Sequence, residues 1–332
     1  MMQISPEIQL FIREHSSDDV RVLALQAKKY PDIDMPTVIT QIAGRKVAAE
    51  KIPSWWEIEK IWYPKHLSLE QCSSEITARY KARLLQGDSL TDLTGGFGID
   101  CSFLATGFKS ATYVERQEEL CEIAAHNFPV LNLNHINIKN EDGVTYLQAM
   151  SPVDCLFLDP ARRNEHGGKT VAISDCEPNV AELEELLLQK ANRVMIKLSP
   201  MLDLSLALKE LKQTQEVHIL SVNNECKELL ILLGQTSPAE ISIHCVNLFT
   251  KGTQKEQHFV FTREQEQCSE CTYTDSLETY LYEPNASLLK AGAFRSIAAA
   301  YPVRKLHPNS HLYTSDTFIE NFPGRIFRIV NQ

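Results

Sequence analysis

From Ser89 onward, short apolar runs alternate with segments whose apolar residues recur every three to four positions. The runs are Ser89–Leu93, Ser110–Glu115, Ile136–Asn140, Asp154–Asp159, Arg193–Leu198, Val217–Val222 and Leu229–Gly234. Most are too short for helices, and their nearly continuous apolar character fits strands covered on both faces. Gln117–Asn127, Val180–Lys190 and Leu204–Gln213 carry the helical period between them. Alternation of this kind predicts an α/β fold, a mostly parallel, doubly wound Rossmann-like sheet with helices on both faces. Such sheets bind ligands outside the carboxyl ends of their strands. The functional candidates are therefore the residues that directly follow each run.

The flanks have a different pattern. Residues 1–85 read as a helical domain, opened by Ser5-Pro6-Glu7: a hydroxyl cap, a proline in the first turn and an acid facing the helix dipole. Val20–Lys29 and Met35–Lys51 continue it with helix-spaced apolar residues. Trp55, Trp56 and Trp62 lie close together here, either as packing anchors or as a platform for stacked bases, the former being the simpler expectation. Residues 86–235 form the ligand-binding α/β domain. Residues 236–275 read as an antiparallel extension, with Ile241–Phe249 and Gln257–Phe261 as strands of a small appendage followed by a polar link, Arg263–Asp275. Residues 276–332 read as a small α+β module with a helix over Ser287–Ala300 and a strand over Gly324–Val330.

Composition narrows the class. Of 332 residues, 43% are hydrophobic and 23% charged, enough to bury a large core and too ordinary for disorder. The net charge of -10 argues against nonspecific wrapping of nucleic acid. The segment from Asn285 to Gln332 departs from that sign, with Lys290, Arg295, Arg304, Lys305, Arg325 and Arg328 against Asp316 and Glu320. Nine irregularly spaced cysteines read as reduced thiols of a cytoplasmic protein. Cys268 and Cys271 make a CxxC with no second ligand pair, so no metal is expected. The N-terminus lacks a signal-peptide pattern and no apolar run is long enough to cross a membrane.

The chemistry concentrates at the strand ends. Asp92-Leu93-Thr94-Gly95-Gly96-Phe97-Gly98 closes the first run and opens a helix. Its glycines let backbone approach a ligand and take positive φ. A nicotinamide fingerprint wants G-x-G-x-x-G/A; here Cys101 stands at the last position and Gly95-Gly96 is out of pattern, which disfavours an NAD oxidoreductase. Asp92 suits the cationic methionine part of S-adenosylmethionine (SAM) better than a pyrophosphate. Glu115, 17 residues after Gly98, ends the second strand where an acid accepts ribose hydroxyls. Asp142-Gly143 follows the third strand, where an adenine amino group would bind. The fourth ends in Asp159-Pro160-Ala161-Arg162-Arg163; Asp159 stands at a strand end where a ligand would sit, and the guanidinium forks of Arg162 and Arg163 suit phosphate.

These residues resemble the class I SAM-dependent methyltransferases that carry a THUMP-like domain. The resemblance rests on Gln71-Cys72-Ser73-Ser74-Glu75-Ile76-Thr77-Ala78-Arg79-Tyr80-Lys81, the Asp92–Gly98 loop, Asp159–Arg163, Glu283-Pro284-Asn285-Ala286 and Lys305-Leu306-His307-Pro308-Asn309-Ser310, and covers most of the chain. It implies a class I methyltransferase sheet, SAM as cofactor, and a ferredoxin-like C-terminal module; the family pattern continues past Phe322–Arg325, so a truncated or absent THUMP-like part is the expectation. THUMP domains bind RNA, so it also implies an RNA substrate, with Arg162, Arg163, Lys290, Arg304 and Lys305 as candidate contacts.

Three acceptor chemistries compete. Uridine C5 methylation needs a cysteine nucleophile just after the fifth strand, and Val194–Pro200 has none, so it is rejected. Amino-nitrogen methylation commonly uses an aromatic two residues after the proline; Arg162 stands there instead. Ribose 2′-O methylation uses a Lys-Asp-Lys-Glu tetrad, and Lys81, Asp159, Lys197 and Glu228 occupy matching places in order. Ion pairing alone would also explain those four. The alternative to an enzyme is a non-catalytic SAM-fold protein that binds nucleic acid.

Overall fold

The computed structural model describes residues 4–162 and 172–330. They fall into two compact units, Met1–Phe157 and Leu158–Gln332.

The first unit opens with the helices Pro6–Glu14, Val20–Leu25, Met35–Lys51, Pro53–Trp56, His66–Gln71 and Glu75–Ala82. Ser5 caps the first, its Oγ accepting from the Ile8 N–H at 3.3 Å. Leu23, Met35, Val38 and Ile42 bury the seam between the early helices. Ala48, Ile52, Trp55, Ile61, Tyr63, Leu69 and Ala78 form a second core with Phe97, Ile99 and Ile123 of the α/β part. Trp55 packs edge-on against Phe97, with ring centroids 5.2 Å apart. Trp62 lies flat on His126 at 3.8 Å. Both are thus packing residues, while Trp56 stays exposed under the Arg45 guanidinium.

Four parallel strands follow: β1 (Ser89–Asp92), β2 (Ser110–Glu115), β3 (Ile136–Asn140) and β4 (Val153–Leu158), in the order β4-β1-β2-β3. The helices Ile99–Ala105, Glu118–Val130 and Gly143–Ala149 connect them. The sheet order reverses at β1, which is the place where open α/β sheets bind ligands.

In the second unit, β5 (Ala161–Arg162) and β6 (Cys176–Glu177) form a short ladder. β7 (Ala191–Leu198), β8 (Thr214–Val222), β9 (Glu225–Gly234), β10 (Ser242–Leu248) and β11 (Glu256–Thr262) are ordered β11-β10-β8-β9-β7. β9 runs antiparallel to β7 and β8. The β8–β9 turn uses Asn223 and Asn224 at φ 50° and 67°, the left-handed pair that a tight hairpin requires. β10 pairs antiparallel with β11 but also parallel with β8, so these strands continue the sheet and are not a separate appendage. Their inward residues Ile243, Cys245 and Phe261 are buried with it.

A second, antiparallel sheet closes the chain: β12 (Tyr280–Pro284), β13 (Arg304–Lys305), β14 (Tyr313–Ser315) and β15 (Gly324–Arg328), ordered β13-β14-β12-β15. The single helix expected over Ser287–Ala300 is two, Ala286–Ala291 and Phe294–Ala300. Gly292, at φ 75°, ends the first in the left-handed conformation. Part of the expected polar link is also helical. Thr262 and Gln265 make a reciprocal capping box over Arg263–Cys268, a signature present in the sequence. Among the described residues, no helix is long and apolar enough to cross a membrane.

Asn285 joins the small sheet to the larger one. Its Oδ1 accepts from Leu288 N–H at 3.2 Å and Ser287 Oγ at 2.6 Å, and its Nδ2 donates to Gln257 Oε1 at 3.1 Å. It is 2% exposed. Asn285→Ala is expected to cost about 1–3 kcal/mol, the loss of a cap plus a buried donor. Asn285→Asp, which keeps the cap, should cost less. Urea unfolding of the three proteins checks the order.

Candidate functional site

Side chains of a strand alternate faces, so Tyr113 and Glu115 of β2 point the same way. Both grip the glycine loop. Tyr113 Oη donates to the Gly96 carbonyl at 2.5 Å, and Glu115 Oε2 accepts from the Gly96 N–H at 2.8 Å. Glu115 Oε1 accepts from the Gln117 N–H, also at 2.8 Å, so one carboxylate ties the loop to the next helix start. Burial and the Glu115 charge push the Tyr113 phenol well up, keeping it a neutral donor. The Gly95 N–H donates to the Val114 carbonyl at 2.8 Å, and Asp92 Oδ1 accepts from the Thr94 N–H at 2.9 Å. The loop is therefore held before any ligand arrives.

The glycines do different jobs. A Cβ on Gly95 would sit 2.3 Å from the Tyr113 ring, so only glycine lets the loop pass over that residue. A Cβ on Gly143 would lie 2.2 Å from the Leu93 carbonyl oxygen, so this helix start too requires its glycine. A Cβ on Gly96, at φ 54°, would meet only the Thr94 carbonyl oxygen, at 3.8 Å, so what this position asks for is the left-handed backbone. Gly98, at φ 86°, caps the helix Ile99–Ala105. Asp142 caps the helix that begins at Gly143, its Oδ1 accepting from the Val144 and Thr145 N–H groups at 3.0 Å. The structure thus brings Asp92, Thr94, Gly95, Gly96 and Glu115 into one bonded constellation, with Gly143 packed on Leu93 at the foot of the same loop.

Lys81 is a buried ion-pair partner. It is 0% exposed, and its Nζ lies 2.9 Å from Asp100 Oδ1 and donates to Ser73 Oγ at 2.8 Å. Ser73 Oγ in turn donates to Asp100 Oδ2 at 2.7 Å. The ammonium ties its own helix to the helix that follows the glycine loop. The roles of Ser73, Asp100 and Tyr113 rest on long-range contacts that the sequence alone does not show.

In the second unit Lys197 donates to Asp159 Oδ2. Lys197 is nearly buried, and Asp159 is 37% exposed in its side chain. Leu230 lies opposite Lys197, so Glu228, two residues along β9, shares its face and is itself 5% exposed. Asp159 is thus bonded to Lys197, and Glu228 shares the sheet face of Lys197.

Of the C-terminal cations, Arg295, Arg304, Arg325 and Arg328 are exposed. Lys290, half-buried, donates from Nζ to the Leu202 carbonyl at 2.7 Å. Lys305 is 3% exposed and donates to the Pro308 carbonyl at 2.7 Å, and burial pulls its pKa down. Arg304 is exposed and ion-paired to Glu278. Arg163 and the side chain of Arg162 lie outside the described residues. Cys268 is exposed and Cys271 half-buried, and all nine cysteines are free thiols.

Comparison with known proteins sets this geometry in context. The solved structure of a protein of Porphyromonas gingivalis W83, provisionally assigned as a methyltransferase, is 36% identical, covering 98% of this chain and 81% of that one with a TM-score of 0.85. A family described as a ferredoxin-like domain matches residues 280–323. An rRNA methylase of Streptococcus thermophilus is 14% identical, covering 48% of this chain and 93% of its own, with a TM-score of 0.35 that carries no argument. No curated protein matches the chain.

Two outcomes follow. Gly95→Ala should destabilise the first unit by about 1–3 kcal/mol through overpacking against Tyr113, while Gly96→Ala should pay only the left-handed backbone cost of about 1–2 kcal/mol. Lys81→Met should cost about 3–5 kcal/mol by stranding buried Asp100, and Lys81→Met with Asp100→Leu should recover most of it. Denaturant unfolding of the single and double variants decides both; a Lys81→Met protein of parental stability would contradict the clamp.

Proposed function

This chain belongs to the family of the Porphyromonas gingivalis W83 protein provisionally assigned as a methyltransferase, and from that membership we propose that it transfers a methyl group from SAM. What supports it is the glycine loop after β1, which Tyr113 and Glu115 hold through both polar groups of Gly96. A loop held in this way is preorganised for a ligand at little entropic cost.

The residues fit a nucleoside with a charged tail. Each Glu115 oxygen accepts one backbone N–H and retains a further lone pair for a ribose hydroxyl. Asp92 offers negative charge at the end of β1, and Thr94, Gly95, Gly96 and Gly98 offer backbone. Asp142 and Gly143 follow β3, on the side expected for adenine. When bound, SAM supplies an electrophilic methyl group on its sulfonium. In this reading Asp159 aligns the acceptor and Lys197, hydrogen-bonded to it, fixes the carboxylate's direction. The acceptor is a base nitrogen or a ribose 2′-hydroxyl, and for the hydroxyl Lys81, Asp159, Lys197 and Glu228 would supply the tetrad.

RNA is the acceptor class we propose, on the resemblance to methyltransferases that carry a THUMP-like domain, since THUMP domains bind RNA. In this layout residues 1–85 are a helical cap, 86–235 the catalytic domain, 236–275 its extension and 276–332 the docking module. The candidate contacts for phosphate include Arg304 and, by sequence, Arg162 and Arg163.

SAM should raise the melting temperature of the chain and NAD should not. Asp92→Ala should weaken SAM binding by calorimetry at least about tenfold, or 1.4 kcal/mol. Labelled SAM should then transfer its methyl group to RNA. Absence of SAM binding in the presence of RNA would sink the enzyme reading. SAM binding without transfer to RNA, protein or small acceptors would leave a non-catalytic nucleic-acid-binding member.

A further inference from the structure

Three adjacent strands of the second unit carry histidines on one face. His218 of β8 stands beside His244 of β10 in parallel register. On the antiparallel side, His244 faces Val260 of β11, which puts His258, two residues before it, on the same face. The rings form a row: His218 and His244 stack at 4.3 Å, His244 and His258 at 5.3 Å. Glu216, two residues before His218, adds a carboxylate to that face, its Oε2 lying 3.3 Å from His218 Nε2.

These are ligand atoms for a divalent cation. One atom each from Glu216, His218 and His244 lie within 4.8 Å of one another. His258 Nε2 adds a fourth donor, 3.2 Å from His244 Nδ1. Ligands about 2.0–2.1 Å from a tetrahedral zinc ion stand roughly 3.3 Å apart. The Glu216–His218 and His244–His258 pairs already have that spacing, and modest ring rotation would bring the two pairs together. Arg193 Nη2 holds Glu216 Oε1 at 3.0 Å, so the other oxygen is aimed at the histidines. Such a support orients a ligating carboxylate. The row also runs from buried His218 to exposed His258, which gives an ion a way in.

We propose that Glu216, His218, His244 and His258 form a binding site for a borderline divalent transition metal ion, of which zinc is the type. Three imidazoles and one carboxylate match that class and not the all-oxygen sets of calcium or magnesium. The ion would clip edge strand β11 to β10 and β8, a structural role separate from the glycine loop.

The test uses the full, untagged chain stripped with a chelator. Zinc chloride titrated by calorimetry should bind at one ion per chain and raise the melting temperature. His244→Gln and His258→Gln should each weaken it at least about tenfold, and Cys268→Ser with Cys271→Ser should leave it unchanged. Cobalt(II) gives a second readout that needs no variant: tetrahedral visible bands without a thiolate charge-transfer band. No zinc binding, a thiolate band, or binding lost only in the cysteine variant would overturn the proposal.

Discussion

Two side chains of β2 fix the region on which the functional reading depends. Tyr113 takes the carbonyl of Gly96 and Glu115 takes its N–H, so a single glycine is held by both polar groups of its own peptide backbone. A loop gripped this way is fixed in its path. The same constraint dictates the glycine at position 95, because the chain must pass within touching distance of the Tyr113 ring to reach that grip. It also sets the start of the helix Ile99–Ala105, and through Asp100 it reaches back to Lys81 in the preceding helix and to Ser73 just before that helix. A run of buried polar contacts thus links the N-terminal helices to the loop. Each is satisfied by a partner, as buried charge requires.

The α/β frame was legible because buried parallel strands leave an unambiguous trace. Ser110–Glu115 and Ile136–Asn140 have the boundaries that their apolar runs predicted. The acids at the strand ends were visible for the same reason, since Asp92 and Glu115 interrupt apolar runs at positions where a ligand, not solvent, is the usual partner. Helix Met35–Lys51 was readable from its period, and the structure adds that Asp34 caps it.

What the sequence hid depends on long-range pairing. Lys81 lies in the last turn of a short helix, where lysine is normally solvated; only the fold shows that Asp100 waits behind it. Lys290 and Lys305 contribute to a positive C-terminal segment on paper, but both ammonium groups face carbonyls inside the structure. Charge counted along a chain does not reveal which charges reach the surface. Likewise Glu216, His218, His244 and His258 are spread along the sequence and follow no ligand spacing, and β-sheet register alone assembles them. The break at Gly292 was hidden because a lone glycine in an apolar helical stretch is tolerated as often as it terminates.

The central claim is that the loop gripped by Tyr113 and Glu115 is a SAM site. The most direct test is a crystal structure of the chain soaked with S-adenosylhomocysteine. The account predicts the ribose hydroxyls on Glu115, the nucleoside over Gly96 and little movement of the loop. Ligand density elsewhere in the molecule, with the loop rearranged, would contradict it.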